Sequence, residues 1–398
     1  MATDIEEHLA VFRRGVVDLI DEQELRAKLA LGRPLRIKFG MDPSSPDLHV
    51  GHAIPLMKLR ALQDLGHQIV LIVGSSTAMV GDPTGRNKLR PQLTREQVEI
   101  NLATYIDQAG KVLDMERTEV HRNSDWFDKL DFGGLLALCG RTTVARMLER
   151  DTFDQRMKAG EAVGMHELLY PLLQGWDSVE IRADVELGGT DQLFNLLFGR
   201  TLQEQEGQSP QVCFTTPLIN GSDGRKMSKS YGNAIAVTEE PKEMFGKIMR
   251  IPDEVMGQWF ELLTDASPAQ IEALLAGHPN EAKHELARRI VGYFHSPQIG
   301  QRESEAFIAQ FRDKQLPDDI PDVVFDGEWS ADGLPLPVLL RGVGLAQSSS
   351  DARRLIEQGA VRLDGEVVSD PKHLLVPPAA PLLIQVGKRR FARVSAKA

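Results

Sequence analysis

The sequence predicts an α/β protein: a doubly wound parallel sheet, followed by a helical domain and a small α+β domain. Three observations carry this reading. Short β-branched runs alternate with helical stretches through the first half, the pattern of βαβ units around a parallel sheet. Strand signals then thin out from 241 to 312, while charged helical faces such as Glu281-Ala282-Lys283-His284-Glu285-Leu286-Ala287-Arg288-Arg289 continue. Beyond residue 335 the chain turns basic and shows a short helix and hairpins.

In chain order, the candidate strands of the sheet are Leu35–Phe39, Ile69–Gly74, Ile181–Leu187 and Val212–Leu218. Helical patterns lie at about 51–66, 94–110, 134–149, 164–176 and 191–206. The second opens at Thr94 with Gln97 three residues on, a capping-box arrangement. The first domain spans 1–235, with a helical insertion near 115–180 and a lysine-bearing loop at 221–232; the helical domain spans 236–315. Residues 316–334 collect Pro317, Pro321, Gly327 and Gly333 among several acids and read as a linker. In the last domain, 335–398, Ser348–Gln358 is a helix ending at Gly359, and Asp364-Gly365 supplies the positive φ angles of a tight hairpin turn. A final strand pair brackets Gly387-Lys388.

The 398 residues, 42% hydrophobic and 26% charged, suit an ordinary globular protein of two or three domains. Met1–Gly15 lacks the apolar stretch of a secretory signal, and the longest apolar run, Ile69–Val73, is far too short to span a bilayer. No membrane association is expected. Cys139 and Cys213 belong to no C-x-x-C pair, which fits a reducing, cytoplasmic setting and leaves no bound zinc to expect. The net charge of −11 is unevenly spread: residues 335–398 hold 10 Lys/Arg against 5 Asp/Glu, leaving 36 against 52 for the rest. A basic tail on an acidic body suits an RNA contact confined to part of the surface, and chance fluctuation in a small domain is the alternative.

The first candidate site follows the first strand: Gly40-Met41-Asp42-Pro43-Ser44-Ser45-Pro46-Asp47-Leu48-His49-Val50-Gly51-His52, then a helix. A strand, a loop and a helix N-terminus make an anion site, because free backbone N–H groups and the helix dipole face the bound phosphate. His49 and His52 can donate to that phosphate, and Gly51 lets a base or ribose lie on the backbone. Read alone, the pair is equally two surface histidines or half a metal site. The second site is Gly221-Ser222-Asp223-Gly224-Arg225-Lys226-Met227-Ser228-Lys229-Ser230, a glycine-flanked loop whose Lys226 and Lys229 offer point charges to a triphosphate. Together and in this order, H-x-G-H and K-M-S-K-S resemble the two signatures of class I aminoacyl-tRNA synthetases.

That resemblance implies a Rossmann-like catalytic domain, ATP as substrate with Mg²⁺ on its leaving group, and a reaction in which a carboxylate attacks the α-phosphate. Such a transition state needs position and positive charge rather than a protein nucleophile. His49, His52, Lys226 and Lys229 would supply the charge, with Met227 and Ser228 of the same loop at the nucleotide; Arg86 is a further candidate cation or a surface residue.

Tyr170, Gln174 and Asp177 fall at i, i+4 and i+7 among Leu168, Leu169, Leu172, Leu173 and Trp176. The spacing sets them on one helical face, and their apolar setting suits a lined pocket rather than solvent. A buried carboxylate accepting a phenolic hydroxyl would select tyrosine over phenylalanine, which would leave it desolvated and unpaired. Asp177 is the candidate. These residues resemble the tyrosyl branch of class I, and the likeness covers essentially the whole chain. It implies that Tyr170, Gln174 and Asp82 hold the substrate's α-amino group and that Asp177 binds its hydroxyl. In Gly188-Gly189-Thr190-Asp191-Gln192 it places Gly189 and Asp191 at the ribose and Gln192 at the aminoacyl carbonyl, with Asp42, Thr77 and Asn123 at the substrate or its supporting network. Two positions depart from the pattern. Many members carry tyrosine where this chain has Lys38 and glutamine where it has Glu186, so Lys38 is expected to donate to the substrate hydroxyl or to pair with Asp177.

The tail resembles a small RNA-binding domain shared with a small-subunit ribosomal protein, and its Arg353, Arg354 and basic hairpin suit phosphate contact with structured RNA. The resemblance further implies a homodimer with tRNA(Tyr) spanning both subunits. A tryptophanyl enzyme, a nucleotidylyltransferase and an inactive RNA-binding paralogue are the rival readings; Asp177, the lysine loop and the intact signatures respectively count against them.

Overall fold

The computed structural model describes residues 4–43, 47–83, 94–221, 223–225, 227, 231–311, 320–327, 329, 333–378, 380–387 and 390–396. They form two compact units, Met1–Glu305 and Ala306–Ala398.

The apolar runs of the first half become neighbouring parallel strands. β1 (Asp18–Ile20), β2 (Arg36–Met41), β3 (Gln68–Val73), β4 (Thr118–Arg122), β5 (Val185–Gly189) and β6 (Val212–Thr216) form a six-stranded sheet in the order β1-β6-β5-β2-β3-β4. All neighbours are parallel except β1, which runs antiparallel to β6 at the edge. β3 is buried from Ile69 to Val73, which is why it reads as a continuous apolar run rather than an alternation. The chain winds from β2 to β3 and β4 on one side, then returns to β5 and β6 on the other. The order therefore reverses between β2 and β5, and ligands of such sheets sit beyond the C-terminal strand ends at that reversal.

Several boundaries differ from expectation. The strand expected from Ile181 starts at Val185, because the helix Tyr170–Glu180 continues to a C-cap at Ile181 and the chain turns at Arg182 with φ 51°. The helix expected over 134–149 is two, Phe132–Cys139 and Val144–Leu148, the second restarted by the Thr143 side chain accepting from the Arg146 N–H. The helix expected over 164–176 starts only at Tyr170, after a single 3₁₀ turn, Glu167–Leu169. The region 115–180 is not wholly a helical insertion, since it opens with β4, whose polar Thr118, Glu119, His121 and Arg122 disguise a sheet edge.

Five helices follow: Pro241–Ile248, Met256–Leu263, Pro268–Leu275, Pro279–Phe294 and Pro297–Phe311. Four begin on proline, whose missing N–H costs nothing at a first helical position. Up to Glu305 this helical stretch belongs to the first unit.

In the second unit, β7 (Asp322–Phe325), β9 (Val361–Leu363), β10 (Glu366–Val368), β12 (Leu382–Val386) and β13 (Arg390–Ala396) form a sheet in the order β10-β9-β12-β13-β7, while β8 (Leu334–Pro335) pairs with β11 (Leu374–Leu375). Asp364 at φ 46° and Gly365 at φ 89° make the β9–β10 turn. The helices Leu336–Gly342 and Ser349–Glu357 pack Leu336, Leu339, Leu340, Ala352 and Ile356 against Val361, Ile384 and Val394. The segment 316–334 is not only a connection: its Val323-Val324-Phe325 forms the edge strand β7, parallel to β13.

Candidate active site

At the strand reversal lies a cavity of about 340 Å³. Its walls come from the C-terminal ends of β2, β3 and β5, the first turn of the helix Val50–Asp64, and the helix Tyr170–Glu180. Thirteen of the residues singled out from sequence line it: Asp42, His49, Gly51, His52, Thr77, Asp82, Tyr170, Gln174, Asp177, Gly189, Asp191, Gln192 and Met227. Arg86, Lys226, Ser228 and Lys229 lie outside the described residues.

One end of the cavity is a buried polar network. Tyr170 and Thr77 donate to the two oxygens of Asp42, at 2.8 and 2.7 Å. Asn123 donates to Thr77 Oγ1 at 3.1 Å and to Asp177 Oδ2 at 3.4 Å, and Trp126 Nε1 donates to Asp177 Oδ1 at 3.0 Å. Asn123 thus supports Asp177 and Thr77 from behind and does not line the cavity. Burial pushes the Asp177 carboxyl up to about 7 and Asp42 up to about 6, and it lifts Tyr170 well above the ordinary phenol value. A carboxylate held by two N–H donors at an otherwise apolar site is an acceptor for one more donor, which is what a phenol offers.

The expectation for Lys38 is corrected. Its ammonium pairs with Glu186 Oε1 at 2.9 Å and donates to the Gln174 carbonyl at 2.7 Å and to Ser178 Oγ at 2.8 Å. All three donors are spent beneath the cavity, so Lys38 neither pairs with Asp177 nor lines the site.

The other end is built from backbone. His49 is the N-cap of the helix Val50–Asp64, its N–H donates to His52 Nδ1 at 3.3 Å, and the two rings stack with centroids 3.7 Å apart. A Cβ on Gly51 would come within 3.0 Å of the His49 ring, so only glycine leaves the first helical turn open. Gly189 donates to Gln192 Oε1 at 3.1 Å, and a Cβ there would stand 2.6 Å from Asp191 Oδ1. The loop 221–232 is pinned at its start, where Gly221 donates to the Arg225 carbonyl at 2.7 Å and Arg225 stacks on Tyr231, while Met227 turns into the cavity.

Sequence reasoning missed Trp126, Gly74 and Arg150. Trp126 sits 51 residues from the carboxylate it serves, and nothing local signals the pairing. A Cβ on Gly74 would overlap Asp42 Oδ1 and Thr77 Oγ1; a glycine closing a β-branched strand was the available signal. Arg150, almost fully buried, donates to Asp82 Oδ1 at 3.1 Å and steadies it at the cavity edge.

Comparison with known proteins agrees with this geometry. Residues 30–312 match the family of class I tRNA synthetases (W and Y), and residues 334–377 match the S4 domain. The tyrosine–tRNA ligase of Syntrophotalea carbinolica is 49% identical over 98% of both chains, and that of Aquifex aeolicus is also 49% identical over 98% of both. Among solved structures, a C-terminally truncated mitochondrial tyrosyl-tRNA synthetase of Aspergillus nidulans superposes with a TM-score of 0.63 at 25% identity, covering 76% of this chain and 92% of that one. The chain therefore belongs to the class I tRNA synthetases, in the branch made up of the tyrosine–tRNA ligases.

Proposed function

We propose that the cavity condenses L-tyrosine with ATP to tyrosyl-adenylate and passes the tyrosyl group to tRNA(Tyr), with pyrophosphate and AMP as the released products. The observation that carries this reading is the two-ended cavity: a buried carboxylate, Asp177, held by Asn123 and Trp126 at one end, and a helix N-terminus bearing His49, Gly51 and His52 at the other. Asp177 accepts the phenolic hydroxyl. Tyr170, Gln174 and Asp82 surround the α-ammonium, with Asp42 and Thr77 fixing the Tyr170 ring. The substrate carboxylate then attacks the α-phosphorus in line, the bond to pyrophosphate breaks, and the added charge is met by His49, His52, Lys226 and Lys229, with Arg86 as a further cation. Mg²⁺ enters with ATP and accompanies the pyrophosphate. Gly189 and Asp191 take the ribose, Met227 and Ser228 border the nucleotide, and Gln192 faces the aminoacyl carbonyl.

Pyrophosphate exchange measured with each of the twenty amino acids tests the assignment. Tyrosine alone should support exchange; exchange driven by tryptophan, or by none, overturns it. The basic second unit supplies RNA phosphate contacts remote from the cavity. Deleting 335–398 should leave adenylate formation near the full-length rate while transfer to tRNA falls steeply and its salt dependence flattens. We read the enzyme as a cytoplasmic homodimer. The apolar surface left exposed by Phe132, Leu136 and Val144 supports the pairing of two chains, and Leu136→Asp should shift sedimentation toward the monomer.

A further inference from the structure

Beneath the cavity, on the side of the helix Tyr170–Glu180 that faces the sheet, lies a fully buried ion pair. Lys38 on β2 and Glu186 on β5 are register partners, and neither exposes any surface. Glu186 accepts four hydrogen bonds. Lys38 and Gln174 Nε2 reach Oε1 at 2.9 and 3.1 Å; Ser178 Oγ reaches Oε2 at 3.1 Å, and Gln211 Nε2 donates to the same oxygen. Burying two charges costs several kcal/mol per ion before their attraction is counted, and apolar pairs of similar volume commonly replace such bridges without loss of stability. Stability alone is therefore a weak account of this pair.

The pair does fix one group that lines the cavity. A carboxylate offers only acceptors, so Gln174 must turn its amide nitrogen toward Glu186 and its oxygen away. That oxygen accepts from Asn195 Nδ2 at 2.8 Å and keeps a second lone pair. Lys38, by holding the Gln174 carbonyl at 2.7 Å, fixes the backbone from which the side chain hangs. We propose that Lys38 and Glu186 are positioning residues that lock the Gln174 amide oxygen toward the substrate ammonium, making this buried pair a determinant of α-amino-acid recognition. A neutral amide at 186 could present either end to Gln174 and would let the ring of hydrogen bonds reverse.

The inference rests on reading the cavity as the tyrosine site, and the test separates the two. Equilibrium binding of tyrosine is compared with that of 3-(4-hydroxyphenyl)propanoate, which lacks only the ammonium, in the wild type, in Glu186→Gln and in Lys38→Met/Glu186→Met. The double variant removes both charges together and so avoids an orphaned ion if the single variant does not fold. Each protein is first checked for cooperative melting. In the variants tyrosine should bind about tenfold or more weaker, the loss expected for one hydrogen bond to a charged group, while the desamino analogue and ATP bind as in the wild type. Equal losses for tyrosine and the analogue, or no loss for either, overturn the positioning role. A wild type that binds no tyrosine overturns the earlier reading instead.

Discussion

The two ends of the cavity are made by different means. At the amino-acid end, Asp42, Thr77, Asn123, Trp126, Tyr170 and Asp177 come from distant parts of the chain, are largely buried, and hold one another by hydrogen bonds. At the nucleotide end, the working groups are neighbours in sequence: His49, Gly51 and His52 on one helical turn, and Gly189, Asp191 and Gln192 on another. The first end is shaped before a ligand arrives, because every donor is already aimed. The second relies on backbone N–H groups, absent side chains and cations, features that suit a large, highly charged and partly solvated partner. Recognition thus depends on a rigid network, and chemistry depends on charge delivered along short motifs.

The largest expected effect should fall on chemistry alone. Lys226→Ala or Lys229→Ala should slow tyrosyl-adenylate formation by about 10²- to 10³-fold, the scale found when one group stabilising developing charge is removed. Tyrosine affinity should hardly change. Rapid-mixing kinetics with equilibrium tyrosine binding reads both, and a variant that loses tyrosine affinity but not rate would erase the contrast between the ends. Next in size, Asp177→Asn should strike recognition. Tyrosine binding should weaken by about 10- to 100-fold, as for loss of a buried charged acceptor, and the preference over phenylalanine should shrink by at least as much. Competition binding would show it.

A smaller effect should follow from pH. Burial raises Asp177 to about 7 against an ordinary 3.8, so the carboxylate form that accepts the hydroxyl is lost as pH falls through 7. If binding requires that form, tyrosine affinity should drop about tenfold between pH 8 and pH 6, by the proportion of carboxylate remaining. The same sign applies to folding: a carboxyl raised in the folded state binds its proton more readily there, so its ionisation weakens the fold between pH 4 and pH 7. Calorimetric tyrosine titrations across that range, repeated with Asp177→Asn, would isolate the group; an unchanged slope in the variant would assign the effect elsewhere. The smallest change is expected from Gly51→Ala. A Cβ 3.0 Å from the His49 ring asks for a shift of a few tenths of an ångström, which should raise the KM for ATP a few-fold and leave tyrosine binding alone.

What the sequence discloses divides along the same line. Motifs contiguous in the chain were legible: the H-x-G-H turn, the Gly-Gly-Thr-Asp-Gln segment, the Thr94–Gln97 capping box and the Asp364-Gly365 hairpin all lie where local physics places them. The Tyr170, Gln174 and Asp177 stripe was legible because helical spacing is local too. Features that need a distant partner were not. β1 has three residues and pairs antiparallel with a strand near 213–215. β7 lies in a segment rich in proline and glycine and finds its partner in β13. Lys38 could be assigned its carboxylate only by knowing that β2 and β5 are neighbours in register. Spacing along the chain carries no such information.

That register has a bearing on how the sheet assembles. Lys38 stands directly across from Glu186, with Ile37 across from Val185 and Phe39 across from Leu187. Were β2 to meet β5 one residue out of step, the ammonium would face an aliphatic neighbour with no acceptor, and Glu186 would be stranded in the same way. Such an orphaned charge costs about 3–5 kcal/mol, comparable with much of a domain's net stability. The pair is therefore a proofreading mark for strand alignment: a misaligned sheet is penalised when the strands first join, before any amino acid has entered the cell of residues above it.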